Sequence, residues 1–260
     1  MNSTPVGEAR DRYPPADYPG CPVTVDVALS NGQVLRRPRW GLGDVFIMLG
    51  ATVLIALVAS GLLEGAGASL GVTVIIGGLL GWASLAGWPL LITRLRGNGP
   101  RIDLGLRLTW HELGWGVVTG VLVLTLAAVL TLISTAIFGE FDSAAGEAAR
   151  GIMAEGNQLT LVGFALMLMI GAPIAEELAF RGLLFAGLRK RGVRPALTVV
   201  ISAVAFALFH FEPVRLGVLI VIGLVLGVAR ARSGSLGVSI VAHAVNNAPG
   251  AIFVILGLPG

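Results

Sequence analysis

Residues 45–63 read VFIMLGATVLIALVASGLL, a run of nineteen residues with no charge. A helix needs about 20 such residues to cross the roughly 30 Å hydrocarbon core of a bilayer. The run therefore predicts a membrane span, and composition extends that reading to the whole chain. Of the 260 residues, 55% are hydrophobic and only 13% are charged. Soluble domains carry about 25% charged residues, so this supply cannot cover a water-facing surface. A soluble enzyme, a nucleic-acid reader and a disordered scaffold are excluded. Eighteen Lys and Arg against 15 Asp and Glu leave a net charge of only +3.

Working outward, further apolar runs cover 70–93, 113–138, 159–188, 196–211, 216–229 and 236–258. The run 159–188 is interrupted by Gly171, Pro173, Glu176, Glu177 and Arg181, and predicts a helix kinked or restarted at Pro173. The expected fold is an all-α, polytopic transmembrane helix bundle of seven spans, or eight if Pro173 splits the fourth. Residues 1–43, with Pro5, Pro14, Pro15, Pro19, Pro22 and Pro38 among charges, read as a loose extramembrane tail. No apolar stretch precedes Cys21, so the first hydrophobic run is expected to stay as an anchor. A single cysteine allows neither an internal disulfide nor a cysteine-based metal cage. Residues 44–138 hold the first three spans and 159–258 a second helical block.

Basic residues set the expected orientation, because cytoplasmic loops retain Lys and Arg. Arg36, Arg37 and Arg39 precede the first span, Arg94 and Arg96 follow the second, Arg189, Lys190 and Arg191 follow the fourth, and Arg230 and Arg232 follow the sixth. The opposite loops hold only Arg150 and Arg215. This places the N-terminus in the cytoplasm and, with seven spans, the C-terminus outside. In the 138–158 loop Ser143 is placed to cap a short surface helix.

Three short protease-like strings fail on context. His111 and Glu112 begin an H-E-x-x-H, but Trp115 stands where the second histidine belongs. Gly67, Ser69 and Gly71 spell G-x-S-x-G with no strand before them. Gly41, Gly43 and Asp44 spell G-x-G-D, but no second span carries an aspartate. Gly77 with Gly81, Gly116 with Gly120, and Gly223 with Gly227 are small-xxx-small pairs, which speak to packing.

What remains is a set of polar residues inside apolar spans: Glu176, Glu177 and Arg181, then His210, then His243, Asn246 and Asn247. A charge at helix centre costs about 2.5–3.5 kcal/mol even on the insertion scale. Such residues default to function. Glu177 and Arg181 lie four apart in the favourable order for a pair, while Glu176 is turned about 100° away and must look to another span. Pro173 suits a helix start, which would put both acids in a first turn. Counted from the turn near Gly192, Glu176 and His210 come level. Counted from Gly234, His243 falls short by roughly 10–15 Å if the helices start together; tilt, or a fourth helix projecting around Phe185 to Lys190, reduces the gap.

Glu176, Glu177 and Arg181 match E-E-x-x-x-R, Phe206 and His210 match F-x-x-x-H, and His243 and Asn247 match H-x-x-x-N. In this order, over about residues 160–250, they resemble the CPBP family of intramembrane proteases, which includes the CAAX prenyl endopeptidases and bacteriocin-processing or immunity proteins. The resemblance implies an intramembrane endopeptidase acting on a membrane-associated peptide or protein, including CAAX-type prenylated ones, with the lipid bilayer as its other partner and no nucleic acid. It implies Glu176 as the base that activates water with His210 assisting, and His243 with Asn247 holding the oxyanion. Glu177, Arg181 and Phe206 would support them. A competing scheme makes Glu176, His210 and His243 ligands of one Zn²⁺, where the first needs no cofactor. Non-enzymatic readings are a transporter using Glu176 and His210 as a proton relay, against which no inverted repeat stands in the first half, and a catalytically silent immunity or scaffold protein.

Overall fold

The computed structural model describes residues 22–256, and every described element is helical. In chain order these are α1 (Pro22–Ser30), α2 (Leu42–Gly65), α3 (Leu70–Arg96), α4 (Pro100–Asp103), α5 (Trp110–Phe138) and α6 (Ala144–Ala154). One long helix, α7 (Gln158–Lys190), follows, then α8 (Pro195–Phe209), α9 (Leu216–Ser233) and α10 (Leu236–Leu256). Six of them, α2, α3, α5, α7, α9 and α10, are long and apolar enough to cross a membrane. The fifth expected span, α8, has 15 residues and is the one of the seven that falls short of that length. The protein is a helical bundle of the multi-pass membrane type.

The glycine pairs seat three of the helix pairs. A Cβ on Gly81 would stand 3.1 Å from Ala56 Cβ, locking α3 onto α2. A Cβ on Gly120 would meet Ala242 O at 2.8 Å and Val245 Cβ at 2.5 Å, so α5 and α10 touch backbone to backbone. On Gly223 it would fall 2.9 Å from Ala203 Cα, where α9 meets α8. Lipid tails are as apolar as leucine, so close packing of this kind, rather than burial of oily surface, holds spans together.

The three protease-like strings are helix starts. Asp44 accepts the Gly41 N–H at 2.8 Å at the head of α2. Ser69 Oγ caps α3 by accepting the Val72 N–H. Glu112 accepts the Thr109 N–H at 2.9 Å and faces Arg107 at 3.2 Å. Asp44 and Glu112 hold the N–H of the capping residue and Ser69 holds a first-turn N–H, none of which has an intrahelical partner. Ser143 does for α6 what Ser69 does for α3, as its position predicts. Glu155 reaches across to the N–H groups of Leu70 and Gly71, at 2.5 and 3.0 Å, so the loop after α6 also closes the start of α3.

Two expectations need correction. The helix does not restart at Pro173. Backbone angles stay helical through Gly171 and Ala172, and α7 continues by widening into π turns at Met167–Gly171 and Glu177–Leu184. Proline has no N–H for the Met169 carbonyl and crowds it, and a wider turn just upstream relieves both problems without a break. Glu176 and Glu177 thus lie mid-helix, not in a first turn. The second difference concerns residues 22–43, expected as part of a loose tail; residues 1–21 of that tail lie outside the described residues. Here α1 forms, Leu35 and Trp40 are buried, and Trp40 Nε1 donates to Asp103 Oδ2 at 2.8 Å. Lys190 Nζ donates to the carbonyls of Pro38 and Trp40.

That packing sets helix levels. Gly182 faces Leu236, since a Cβ there would lie 3.6 Å from Leu236 Cδ2, and Arg230 Nε donates to Arg181 O at 3.2 Å. The α9–α10 turn is therefore level with Arg181 and Gly182, and the last eight residues of α7 overshoot it by about 12 Å. The overhang is covered by the segment around Pro38 to Leu42, against which Gly187 packs.

Candidate active site

The overshoot removes the depth mismatch, because Glu176 is six residues before Gly182 and His243 seven after Leu236. His243 Nε2 lies 3.7 Å from Glu176 Oε2, and His210 Nε2 lies 3.9 Å from the same oxygen. Two histidines, one at the C-cap of α8 and one in α10, thus converge on one carboxylate oxygen of α7.

Each imidazole is held by its other nitrogen. His210 Nδ1 lies 2.8 Å from Phe206 O. A carbonyl only accepts, so Nδ1 carries the hydrogen and Nε2 of the neutral ring presents a lone pair to Glu176. His243 Nδ1 lies 3.0 Å from Glu177 Oε1, which also receives Arg181 Nη1 at 2.9 Å. An ionised carboxylate again only accepts. The adjacent acids therefore face the two opposite nitrogens of one ring, Glu177 hydrogen-bonded behind it and Glu176 3.7 Å away in front.

Glu177 and Arg181 are fully buried, and Arg181 Nη2 donates to Gly223 O at 3.1 Å. The close approach that Gly223 permits between α8 and α9 thus also brings a backbone acceptor to the guanidinium. Arg181 lies over the Phe206 ring, 4.4 Å from its centroid, and Phe206 meets both His210 and His243 edge-on. Phe206 is a plate between the ion pair and the two histidines, which gives the F-x-x-x-H spacing a physical content. Exposure rises from zero at Glu177 and Arg181, through 4% at His243, to 14% for the Glu176 side chain and 23% for His210. Of these side chains Glu176 and His210 are the more open, and Asn247 is half-buried as well.

Asn247 stands one turn beyond His243. Its Nδ2 donates to Leu168 O at 3.0 Å, and its Oδ1 accepts from Asn246 Nδ2 at 3.0 Å. Among the described residues it makes no hydrogen bond to Glu176 or to a histidine, and its amide is oriented by the first π turn of α7. Arg230, read from sequence only as a loop charge, is also part of the scaffold. It is buried, stacks on Phe185 at 5.3 Å, and donates to the carbonyls of Arg181 and Leu104. No sequence signal separates it from Arg232 two residues on.

A tetrahedral Zn²⁺ with bonds of about 2.0–2.1 Å holds its ligand atoms roughly 3.3 Å apart. The separations at Glu176 are longer, and among the described residues no three His, Cys, Asp or Glu side chains are placed to hold a metal ion. The set as it stands does not fit the zinc scheme.

All of these site residues lie between the start of α7 and the end of α10, and that segment resembles a known family. Residues 158–249 match the Rce1-like family, described as type II CAAX prenyl endopeptidase Rce1-like. The match agrees with the CPBP resemblance of the motifs. It covers about a third of the chain, and no curated protein and no solved structure matches. The Rce1-like segment contains the whole polar set, while α2, α3 and α5 lie outside it.

Proposed function

We propose that this protein is an intramembrane endopeptidase that hydrolyses a peptide bond of a membrane-associated substrate with water activated by Glu176. The observation that carries this reading is the single Glu176 oxygen faced by two imidazole Nε2 atoms, each fixed through its Nδ1. The 3.9 Å gap to His210 is too long for a direct hydrogen bond and suits one water that donates a hydrogen to each group. Glu176 takes the proton as the water oxygen attacks the peptide carbonyl, and later returns it to the leaving amine. His210, held through Nδ1 by Phe206 O, aims the water with Nε2.

The tetrahedral oxyanion needs donors. His243 can donate from Nε2 while Nδ1 stays on Glu177 only in its doubly protonated form, for which Glu177 supplies the opposite charge. One amide hydrogen of Asn247 is held by Leu168, leaving the other for the same oxyanion. Such preorganised donors are commonly worth 10²–10³ in rate each. The Rce1-like match supports the peptide-hydrolase class, and CAAX-type prenylated tails are the substrate class it suggests. The positive-inside pattern supports a cytoplasmic N-terminus.

The test is cleavage by purified protein in liposomes of a tethered peptide with and without a C-terminal prenylated cysteine, against Glu176→Gln. Loss of cleavage in the variant is the expected result. Equal turnover by both proteins would remove Glu176 from the chemistry.

A further inference from the structure

Away from the site, a cleft of about 970 Å³ opens between residues 36–39 and the end of α3, lined by Arg36, Arg37, Pro38, Arg39, Leu95 and Arg96. A second of about 320 Å³ adjoins it, shares Arg36 and adds Arg94. Among the described residues, Arg36, Arg37, Arg39 and Arg94 have no carboxylate partner, and Arg96 reaches Asp44 only at 4.0 Å. The nearby acids are committed elsewhere. Asp44 caps α2, and buried Asp103 holds Trp40 and Asn98. Four of these arginines line the first cleft and Arg94 joins Arg36 at the second, so like charges crowd the two adjoining spaces, and an anion held between them relieves the repulsion.

The cleft is also built. Arg39 N donates to Arg96 O at 2.7 Å, and Asn98 pairs with the backbone of Arg36 in both directions at 2.8 Å. Buried Leu35, Pro38 and Trp40 anchor the strip, so the arginines between them point outward on a fixed backbone. On the α3 side, Leu95 is 66% exposed, and Leu91, one turn below it, is 48% exposed. The cationic cleft therefore begins where an apolar, lipid-facing helix surface ends.

We propose that this cleft binds the phosphate headgroup of an anionic membrane lipid, whose chains run down α3 past Leu95 and Leu91. The apolar strip beneath the arginines favours a lipid over a free anion. The proposal does not depend on the protease reading.

The test is native mass spectrometry of the full chain in neutral detergent, incubated with phosphatidylglycerol, with phosphatidylcholine or with inorganic phosphate. Phosphatidylglycerol is expected to be retained over phosphatidylcholine. The triple variant Arg36→Gln, Arg39→Gln, Arg94→Gln should weaken that retention about a hundredfold, at roughly fivefold per arginine. The matching Lys triple should keep most of it, which separates charge loss from misfolding. An equal-charge control, Arg101→Gln, Arg191→Gln, Arg232→Gln, should change it little. Equal retention of the two lipids, an equal loss in the control, a Lys triple as weak as the Gln triple, or displacement of the lipid by millimolar inorganic phosphate would each overturn the proposal.

Discussion

Glu177 reaches across from α7 to His243 on α10, Oε1 to Nδ1 at 3.0 Å, while holding Arg181 on the same oxygen at 2.9 Å. This makes Glu177 a positioning residue as well as half of an ion pair. Glu177→Gln leaves the Arg181 charge uncompensated in a fully buried place, a type of change that costs about 3–5 kcal/mol. Lower yield and a lower melting temperature in detergent are expected. Glu176→Gln, partly exposed and without a hydrogen-bonded partner among the described residues, should melt near wild type and cleave nothing. A stable, inactive Glu177 variant beside an active Glu176 variant would reverse the two roles.

Gly120 tests whether helix contact positions the chemistry. Any side chain there must push against Val245 and the Ala242 carbonyl, on either side of His243. Gly120→Val should cost roughly 1–3 kcal/mol by overpacking and reduce cleavage beyond the loss of folded protein. Gly87→Ala, with nothing within 4 Å of the new methyl, should be neutral or slightly stabilising. Equal behaviour of the two variants in a melting assay would show that the small-residue contacts do not hold α10.

These glycine contacts, like the convergence of Glu176 and His210, follow from local rules. The small-xxx-small spacing marks the glycines as contact points, and counting from the Gly192 turn, which joins α7 to α8, suffices for Glu176 and His210. For His243 it does not, because its level depends on how far α7 overshoots the α9–α10 turn. That level shows in Gly182 against Leu236 and Arg230 on Arg181 O, and the overhang is covered through Trp40, Asp103 and Lys190, all residues far apart in the chain and, for Trp40, in a segment that reads as a tail. The hold of Leu168 O on Asn247 was equally hidden. It relies on a π turn, and nothing in the residues 167–171 distinguishes a widened turn from the kink that Pro173 suggests.

Metal dependence separates the two chemical schemes. With the Glu176 oxygen 3.7 and 3.9 Å from the histidines, cleavage is expected to survive exhaustive chelation, and the purified protein to carry no stoichiometric zinc. One Zn²⁺ per chain, lost in His210→Ala together with activity, would show that the site tightens around a metal by a few tenths of an ångström.

Topology turns on α8, whose 15 residues span only about 22 Å at 1.5 Å each. It is shorter than the hydrocarbon core, yet its ends are held. It packs against α9 through Gly223 and Gly227, and its last turn carries His210 to the level of Glu176 in the interior of α7. A short helix so placed still connects opposite sides if the bilayer thins locally or its flanking loops dip inward, and the count of crossings is then seven. Cysteines introduced near Arg37 and at Gly260 should therefore label from opposite faces of sealed vesicles, Arg37 from the cytoplasmic side. Labelling of both from one face would mean an even number of crossings. Because α7 runs through Pro173 without a break, the crossing to remove from the count would be α8, and the site would open toward the side on which α8 turns back.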